Sequence, residues 1–395
     1  MTDAHETEVA TADEGEGIAS ESEQEYPSRN TTPPSLEEFE RWQAQIGLQK
    51  FGEGLNAAAK AIFPSDGRLQ YSKVYVLMLS WGVEGSAVSG ISRLSSVFKD
   101  VYHFDVESWM IPSEGSQATT TQKILDFVRL GGDSDDDLKI VFYAGQTQLI
   151  KNKNLALTSS GRKTEKSGYP VHWSGIQKSL EAARSDVLIL LDCPYVGTAN
   201  NNQGNGVTEL IAASAYRSVV SHLEAYSFTR ELETEFRELS KLPYFSVGNL
   251  FHNIYCRVQS RMAETGQEEA VPACLQLTQE DPYLPRSIQL SAHQADTPST
   301  LHPNPANANG AFHTSSTRGD TPRIAFAIRL KEDFKVGDLS SDLFLRWLSC
   351  IPESVAEVKI EAGFHSYSSL LIVSVPICMS LYMPKDPAII CLGPI

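Results

Sequence analysis

Apolar positions along the chain change their period several times, and the changes mark out the elements. Leu36, Phe39, Trp42 and Ile46 recur at spacings of 3, 3 and 4, and Phe51, Leu55 and Ile62 follow on a second helical stretch. Ser35 with Glu38 three residues later forms a capping box at the start, and the segment PSDG (64–67) closes the stretch. These residues predict short helices packed on a neighbour. A strand–helix rhythm then begins. Residues 74–81 (VYVLMLSW) form a nearly continuous apolar run of strand length, the mark of a strand buried on both faces. Ala87, Ile91, Leu94 and Phe98 give one face of a helix, 101–110 a second strand, 119–130 a helix closed by Gly131 and Gly132, and 138–144 (LKIVFYA) a third buried strand. Ser174 is read as the cap of a helix with Ile176, Leu180 and Ala183 inward, followed by a fourth strand at 187–191 (VLILL).

This β-α-β-α-β-α-β order predicts an α/β fold, a mainly parallel sheet with helices on both faces. Three further helical patterns are expected: 207–216, then one carrying Phe228, Leu232, Phe236 and Leu239, then one carrying Leu250, Ile254 and Val258. Short strands near 273–277 and 287–290 complete the unit. Residues 291–321 are rich in Pro, Ser, Thr and Asn and read as a linker. Beyond it, strands at 323–330, 355–363, 370–375 and 388–392 and a helix at 343–350 predict a small α+β module. The expected division is therefore a tail at 1–34, a helical extension at 35–67, a main domain at 68–290, a linker at 291–321 and a terminal module at 322–395.

Charge refines this picture. Of a net −16, the first thirty residues hold −8, with nine acids against Arg29, so that segment reads as a disordered acidic tail. An acidic chain without a basic stripe is a poor partner for nucleic acid. The start has neither the apolar core of a secretory signal nor the basic character of a transit peptide, and the longest near-apolar run, 370–383, is short for a bilayer and contains Pro376. Neither nucleic acid nor membrane is expected as a partner. Cys193, Cys256, Cys274, Cys350, Cys378 and Cys391 are scattered without a C-x-x-C pair, which predicts reduced, buried thiols and a cytoplasmic or nuclear protein.

In an open parallel sheet, ligands and catalytic groups gather where the loops leave the carboxyl ends of the strands. Two such loops carry distinctive residues, YAGQT at 143–147 and DCPYVG at 192–197. With VHWSGIQ (171–177), GVTELIAAS (206–214) and SFTRELETEF (227–236), they make the chain resemble the caspase-like cysteine peptidases, the caspase and metacaspase superfamily, in the form common in filamentous fungi. The C-terminal segment VSVPICMSLYMPKDPAIICLG (373–393) resembles the tail region of the same fungal proteins. The resemblance implies a three-layer caspase-like fold.

It also implies where catalysis would sit. The family's catalytic histidine position, in a YAGHG-type motif, falls on Gln146, and the following glycine on Thr147. The nucleophilic cysteine position falls on Pro194, directly after Cys193. An amide cannot exchange a proton near neutral pH. Proline has neither a thiol to acylate nor a backbone N–H, and in this family the N–H of the nucleophile is an oxyanion donor. Gly145, Thr147 and Asp192 would line the degenerate cleft. The expectation is a pseudoprotease that needs no cofactor and binds a protein or peptide, with a caspase-like relative or a second copy of itself among the partners. The competing reading keeps a cysteine peptidase, with Cys193 as a displaced nucleophile and His172, His222 or His252 as base. Strand alternation opposes it, because one residue before Pro194 the sulfur points to the other face. A third reading, nucleotide binding through Gly204-Asn205-Gly206 ahead of a helix, lacks the rest of a phosphate-binding fingerprint.

Three segments remain. The acidic run Asp133 to Asp137 suggests calcium, which some metacaspases bind, but it has no EF-hand glycine or closing Glu, and a solvated turn is expected. The basic stretch 151–166 is expected to be an exposed, mobile loop. Trp42, Trp81, Trp109, Trp173 and Trp347 are expected to be packing residues.

Overall fold

The computed structural model describes residues 43–62, 71–81, 86–150, 154–159, 169–194, 202–214, 228–266, 270–281, 285–292, 322–331, 358–364 and 369–395. The acidic tail, the capping box at Ser35, Trp42, His222, the linker beyond residue 292, the helix expected at 343–350 and the 195–201 loop lie outside these residues. In chain order the elements are α1 (Leu48–Ile62), β1 (Lys73–Ser80), α2 (Ser86–Ser96, continued by a π turn at Val97–Val101), β2 (Asp105–Met110), α3 (Ser116–Arg129), β3 (Asp137–Ala144), β4 (Gln146–Ile150), β5 (Asn154–Thr158) and β6 (Val171–His172). They continue as α4 (Trp173–Glu181), β7 (Asp186–Pro194), β8 (Asn202–Gln203), β9 (Thr208–Ser214), α5 (Phe228–Leu239), β10 (Phe245–Ser246), α6 (Val247–Thr265), β11 (Ala273–Gln279) and β12 (Gln289–Leu290). The last group is β13 (Arg323–Leu330), β14 (Lys359–Phe364), β15 (Ser369–Pro376), a 3-10 turn at Ile377–Leu381 and β16 (Ile389–Pro394).

A seven-stranded sheet of order β2-β1-β3-β7-β9-β11-β8 forms the centre. Strands β2, β1, β3, β7 and β9 run parallel, and β11 returns antiparallel to β9. Every residue of β3 is buried, as a strand covered on both faces requires. Alternate residues feed two cores. Val76, Met78, Ile140, Phe142, Leu188, Leu190 and Ile211 meet α2, α5 and α6 on one face, where Phe98, Tyr102, Phe236 and Phe245 pack edge to face. Leu77, Leu79, Val141, Tyr143, Ile189, Leu191 and Leu210 meet α3 and α4 on the other. The molecule is a three-layer α/β protein with a mainly parallel sheet, the fold class expected from the strand–helix rhythm.

The second body is built from both ends of the described chain. β14, β15, β13 and β16 form an antiparallel sheet. One face of it packs on α1, through Phe51, Leu55, Ala58 and Ile62 against Phe326, Ile328, Val373 and Met379. Ile46 bridges to this sheet, its N–H donating to Arg329 O at 2.9 Å and its carbonyl accepting from Lys331 N at 3.0 Å. The leading helix thus has its neighbour, and that neighbour is the C-terminal sheet.

Several expectations need correction. Residues 207–216 were read as a helix, whereas 208–214 are β9; Thr208 to Ala212 are all buried between β7 and β11, and such a short apolar run fits either period until its neighbours are known. The phosphate-cradle reading of Gly204-Asn205-Gly206 loses its helix with it. A Cβ on Gly206 would lie 2.7 Å from both the Arg184 and Ser185 carbonyl oxygens, so glycine is needed there for close packing. The N-cap of α4 is His172 rather than Ser174, without a side-chain bond, while an unpredicted capping box of Ser246 and Asn249 starts α6. Within the stretch expected to be a mobile loop, Asn154–Thr158 is a strand with Leu155, Ala156 and Leu157 buried. Cys391 is exposed and Cys256 half-buried, while Cys193, Cys274 and Cys378 are buried. Trp81 and Trp173 are core residues and Trp109 packs against them.

The acidic turn is tied down rather than simply solvated. Asp133 accepts from Arg184 N and Ser185 N at 3.0 Å and from Ser185 Oγ at 3.1 Å, and Asp137 is buried. Beside it Lys139 is fully buried, its Nζ donating to Leu130 O and lying 3.8 Å from the Tyr75 ring centre, and desolvation lowers its pKa. Gly131, at φ +75°, closes this pocket; a Cβ there would stand 2.5 Å from Asp137 Oδ2 and 2.8 Å from Tyr75 Oη. Gly131→Ala is therefore expected to lower unfolding stability by about 1–3 kcal/mol, read from urea denaturation with an unchanged m-value.

Candidate active site

The candidate residues gather at the carboxyl ends of β3 and β7, which are hydrogen-bonded neighbours with Ala144 opposite Asp192. The register carries Gln146 and Pro194 two residues beyond that pair on adjacent chain segments. Here the two loops diverge. Gly145 lets the chain turn: a Cβ would approach Tyr143 Oη to 2.5 Å, and that hydroxyl donates to Gln146 O at 2.8 Å. Gln146 and Thr147 then open β4, which pairs antiparallel with β5 (Gln146 opposite Thr158), and β5 pairs in turn with β6. The YAGQT segment is therefore a strand-to-hairpin turn rather than an open loop. Gln146 is exposed and Thr147 half-buried.

On β7 the register to β9 slips between Leu191, opposite Ala212, and Pro194, opposite Ser214. Three steps on one strand match two on the other, a bulge at the end of the strand where the candidate residues lie. Asp192 and Cys193 point to opposite faces. Asp192 turns toward α5, where its Oδ2 accepts from Thr229 Oγ1 and, at 3.3 Å, from Thr229 N. Burial raises the Asp192 pKa, and the two bonds from Thr229 oppose the rise. Cys193 turns into the other core, beside Leu191 and Tyr143, and is 3% exposed. Burial is the main influence on its thiol and pushes the pKa far up; the Asp192 charge adds to this and a hydrogen bond with Thr147 works against it. A thiol held in that state is a poor nucleophile near neutral pH.

Of the suggested bases, His172 and His252 lie among the described residues. His172 is exposed at the end of β6, its N–H donating to Gln117 Oε1 at 2.7 Å. His252 sits on α6, packed on the face of the sheet away from Cys193, with Nε2 3.6 Å from Cys256 Sγ. Among the described residues no cluster of three His, Cys, Asp or Glu side chains could hold a metal ion, and no helix is long and apolar enough to cross a membrane.

Sequence reasoning missed Thr229, Tyr143 and the bulge. Thr229 stands one residue into α5, where a hydroxyl next to a helix start is a usable sign of a local hydrogen bond. The bulge has no sequence signature, because it depends on how β7 and β9 come together.

With the geometry known, the comparisons add little. No family model matches the chain, and no curated protein matches it in sequence. Among solved structures it is similar to the crystal structure of caspase-1 from Spodoptera frugiperda, at 12% identity and a TM-score of 0.40, over 60% of this chain and 95% of that one.

Two measurements follow. In the native protein Cys193 should stay unmodified by iodoacetamide at neutral pH while exposed Cys391 is fully alkylated, as mapped by peptide mass spectrometry; after denaturation both should react. Thr229→Val, which removes the hydroxyl donor to Asp192 but keeps the side-chain shape and the backbone N–H, is expected to lower stability by about 1–3 kcal/mol in urea titration.

Proposed function

We propose that the chain is a caspase-like pseudoprotease, related by its loop motifs to the filamentous-fungal branch of that superfamily, and that it works by binding protein rather than by cutting it. The observation that carries this reading is the state of Cys193, the thiol nearest the nucleophile position. It is buried in the α3–α4 core, its proton held tightly, on the opposite face of β7 from Asp192.

The other features support the same reading. Gln146 has no titratable proton to exchange, and Pro194 has neither thiol nor amide hydrogen. Base, nucleophile and one oxyanion donor are absent together from the positions that the resemblance assigns. The hairpin β4–β5, Gly145 and the half-buried Asp192 still shape the rim at the ends of β3 and β7. Such a rim suits an extended peptide of a protein partner, a caspase-like relative or a second copy of the chain, in the cytosol or nucleus.

The experiment is a fluorogenic peptide library spanning acidic and basic residues at the scissile position, with and without calcium and a thiol alkylator. No turnover above background is expected. Cleavage that the alkylator stops and Cys193→Ala abolishes would overturn the reading in favour of a displaced cysteine peptidase. The same library applied to the double variant Gln146→His with Pro194→Cys is expected to show alkylator-sensitive turnover at a low level.

A further inference from the structure

A carboxyl group lies fully buried at the seam between the central sheet and the C-terminal body. Glu209, the second residue of β9, is 0% exposed. Its Oε2 accepts from Ile288 N at 2.8 Å and from Ser287 Oγ at 3.1 Å, both just before β12. Its Oε1 accepts from the hydroxyl of Tyr382 at 2.5 Å. Tyr382 belongs to the other body: it follows the 3-10 turn after β15, is 1% exposed, and packs in the core that α1 shares with the C-terminal sheet. The contact spans 173 residues of chain and joins two units that also meet through a Tyr382–Ser287 hydrogen bond and apolar side chains such as Ile377 and Leu381.

We infer that Glu209 and Tyr382 form a protonation-gated latch, which holds the C-terminal body against the central sheet when the carboxyl group is protonated and loosens it when the group ionises.

The surroundings explain the gating. From β7, Asp186 faces Glu209, but its charge is engaged by both Arg286 guanidinium nitrogens, at 2.6 and 2.8 Å, and by Tyr71 Oη. From β11 comes Cys274 and from the C-terminal body Tyr382, both held protonated by burial, with Cys378 beside Cys274; Gln276 is the β11 register partner. α6 joins the cluster through Gly248 N, which donates to Ser287 Oγ at 3.1 Å. Arg286 is thus committed to Asp186 and Glu280, and among the described residues no cation pairs with Glu209. An ionised carboxylate here keeps its three hydrogen bonds but loses its hydration without a counter-charge.

Burial is accordingly the dominant influence on Glu209 and pushes its pKa up to about 7, the three hydrogen bonds pulling the other way. An exposed glutamate titrates near 4.5. The sign follows from proton count. Between those values the docked state binds more protons than the released state, so docking is strongest below about 4.5 and weakens as pH rises through 7. For one such group the release equilibrium rises on the order of 50-fold between about pH 5 and pH 8.

Cys378, 0% exposed and four residues before Tyr382, reports release, and exposed Cys391 in the same molecule corrects for the pH dependence of the reagent. The full chain is labelled at low 4,4′-dithiodipyridine, and the ratio of Cys378 to Cys391 modification rates is read by peptide mass spectrometry from pH 5 to 8. The wild-type ratio is expected to rise at least tenfold. In Glu209→Gln it should stay flat, and in Tyr382→Phe it should already be raised several-fold at pH 5. A wild-type ratio constant within twofold overturns the latch, and needs no variant to fold. A rise in Glu209→Gln equal to that of the wild type overturns the assignment to Glu209, and an unchanged Tyr382→Phe ratio at pH 5 overturns the part given to Tyr382.

Discussion

Burial of β1, β3, β7 and β9 on both faces is the constraint on which everything else in this protein depends. A parallel sheet cannot leave a face in water, so each strand must be apolar throughout and each crossover must lay a helix across it. The helices α3 and α4 on one side and α2, α5 and α6 on the other follow from that demand. So does the placement of polar residues. Along β3 and β7 they are driven to the ends: Asp137, Lys139 and Asp186, buried at the amino ends, and half-buried Asp192 at the carboxyl end, each tied to a partner.

The same constraint bears on the chemistry of the candidate site. On a strand buried on both faces, adjacent residues enter different cores, and a side chain one position out of place is on the wrong side of the sheet. Cys193 illustrates this. It lies next to the position that matters, yet it belongs to the α3–α4 core with Leu191 and Tyr143, while Asp192 belongs to the α5 side with Thr229. Packing, more than residue type, makes this thiol inert.

How far the sequence could be read follows the same physics. The apolar runs of β1, β3 and β7 were legible because a two-face-buried strand has few alternatives, and α5 and α6 were legible because amphipathic helices repeat cleanly. β9 was not: Thr208 to Ser214 is short and apolar enough to suit a helix, and its place between β7 and β11 decides the matter. β5 hid inside a basic stretch whose charges flank it. At the site, Gln146, Pro194 and Cys193 could be found from two short motifs, but the bulge at the end of β7 could not, since register between strands distant in sequence is a property of the assembled sheet. Glu209 was invisible for a related reason. A lone acid in an apolar run carries no sign of the tyrosine that meets it 173 residues later.

The pairing of Ile46 with Leu330 has a consequence for the order in which the protein is made. α1 is synthesised before the central sheet, and the sheet that covers Phe51, Leu55 and Ile62 after it. Until those strands follow, the face of α1 that carries Phe51 and Leu55 lacks the sheet that covers it in the folded protein, although Ile62 can already meet Gly248 at the start of α6. Contacts of such long sequence separation form late, because the loop they close must first be ordered. The central sheet can assemble from its own neighbouring segments while this happens. A nascent chain therefore passes through a stage with a finished core and an unfinished flank, in which α1 still lacks the C-terminal sheet that covers it.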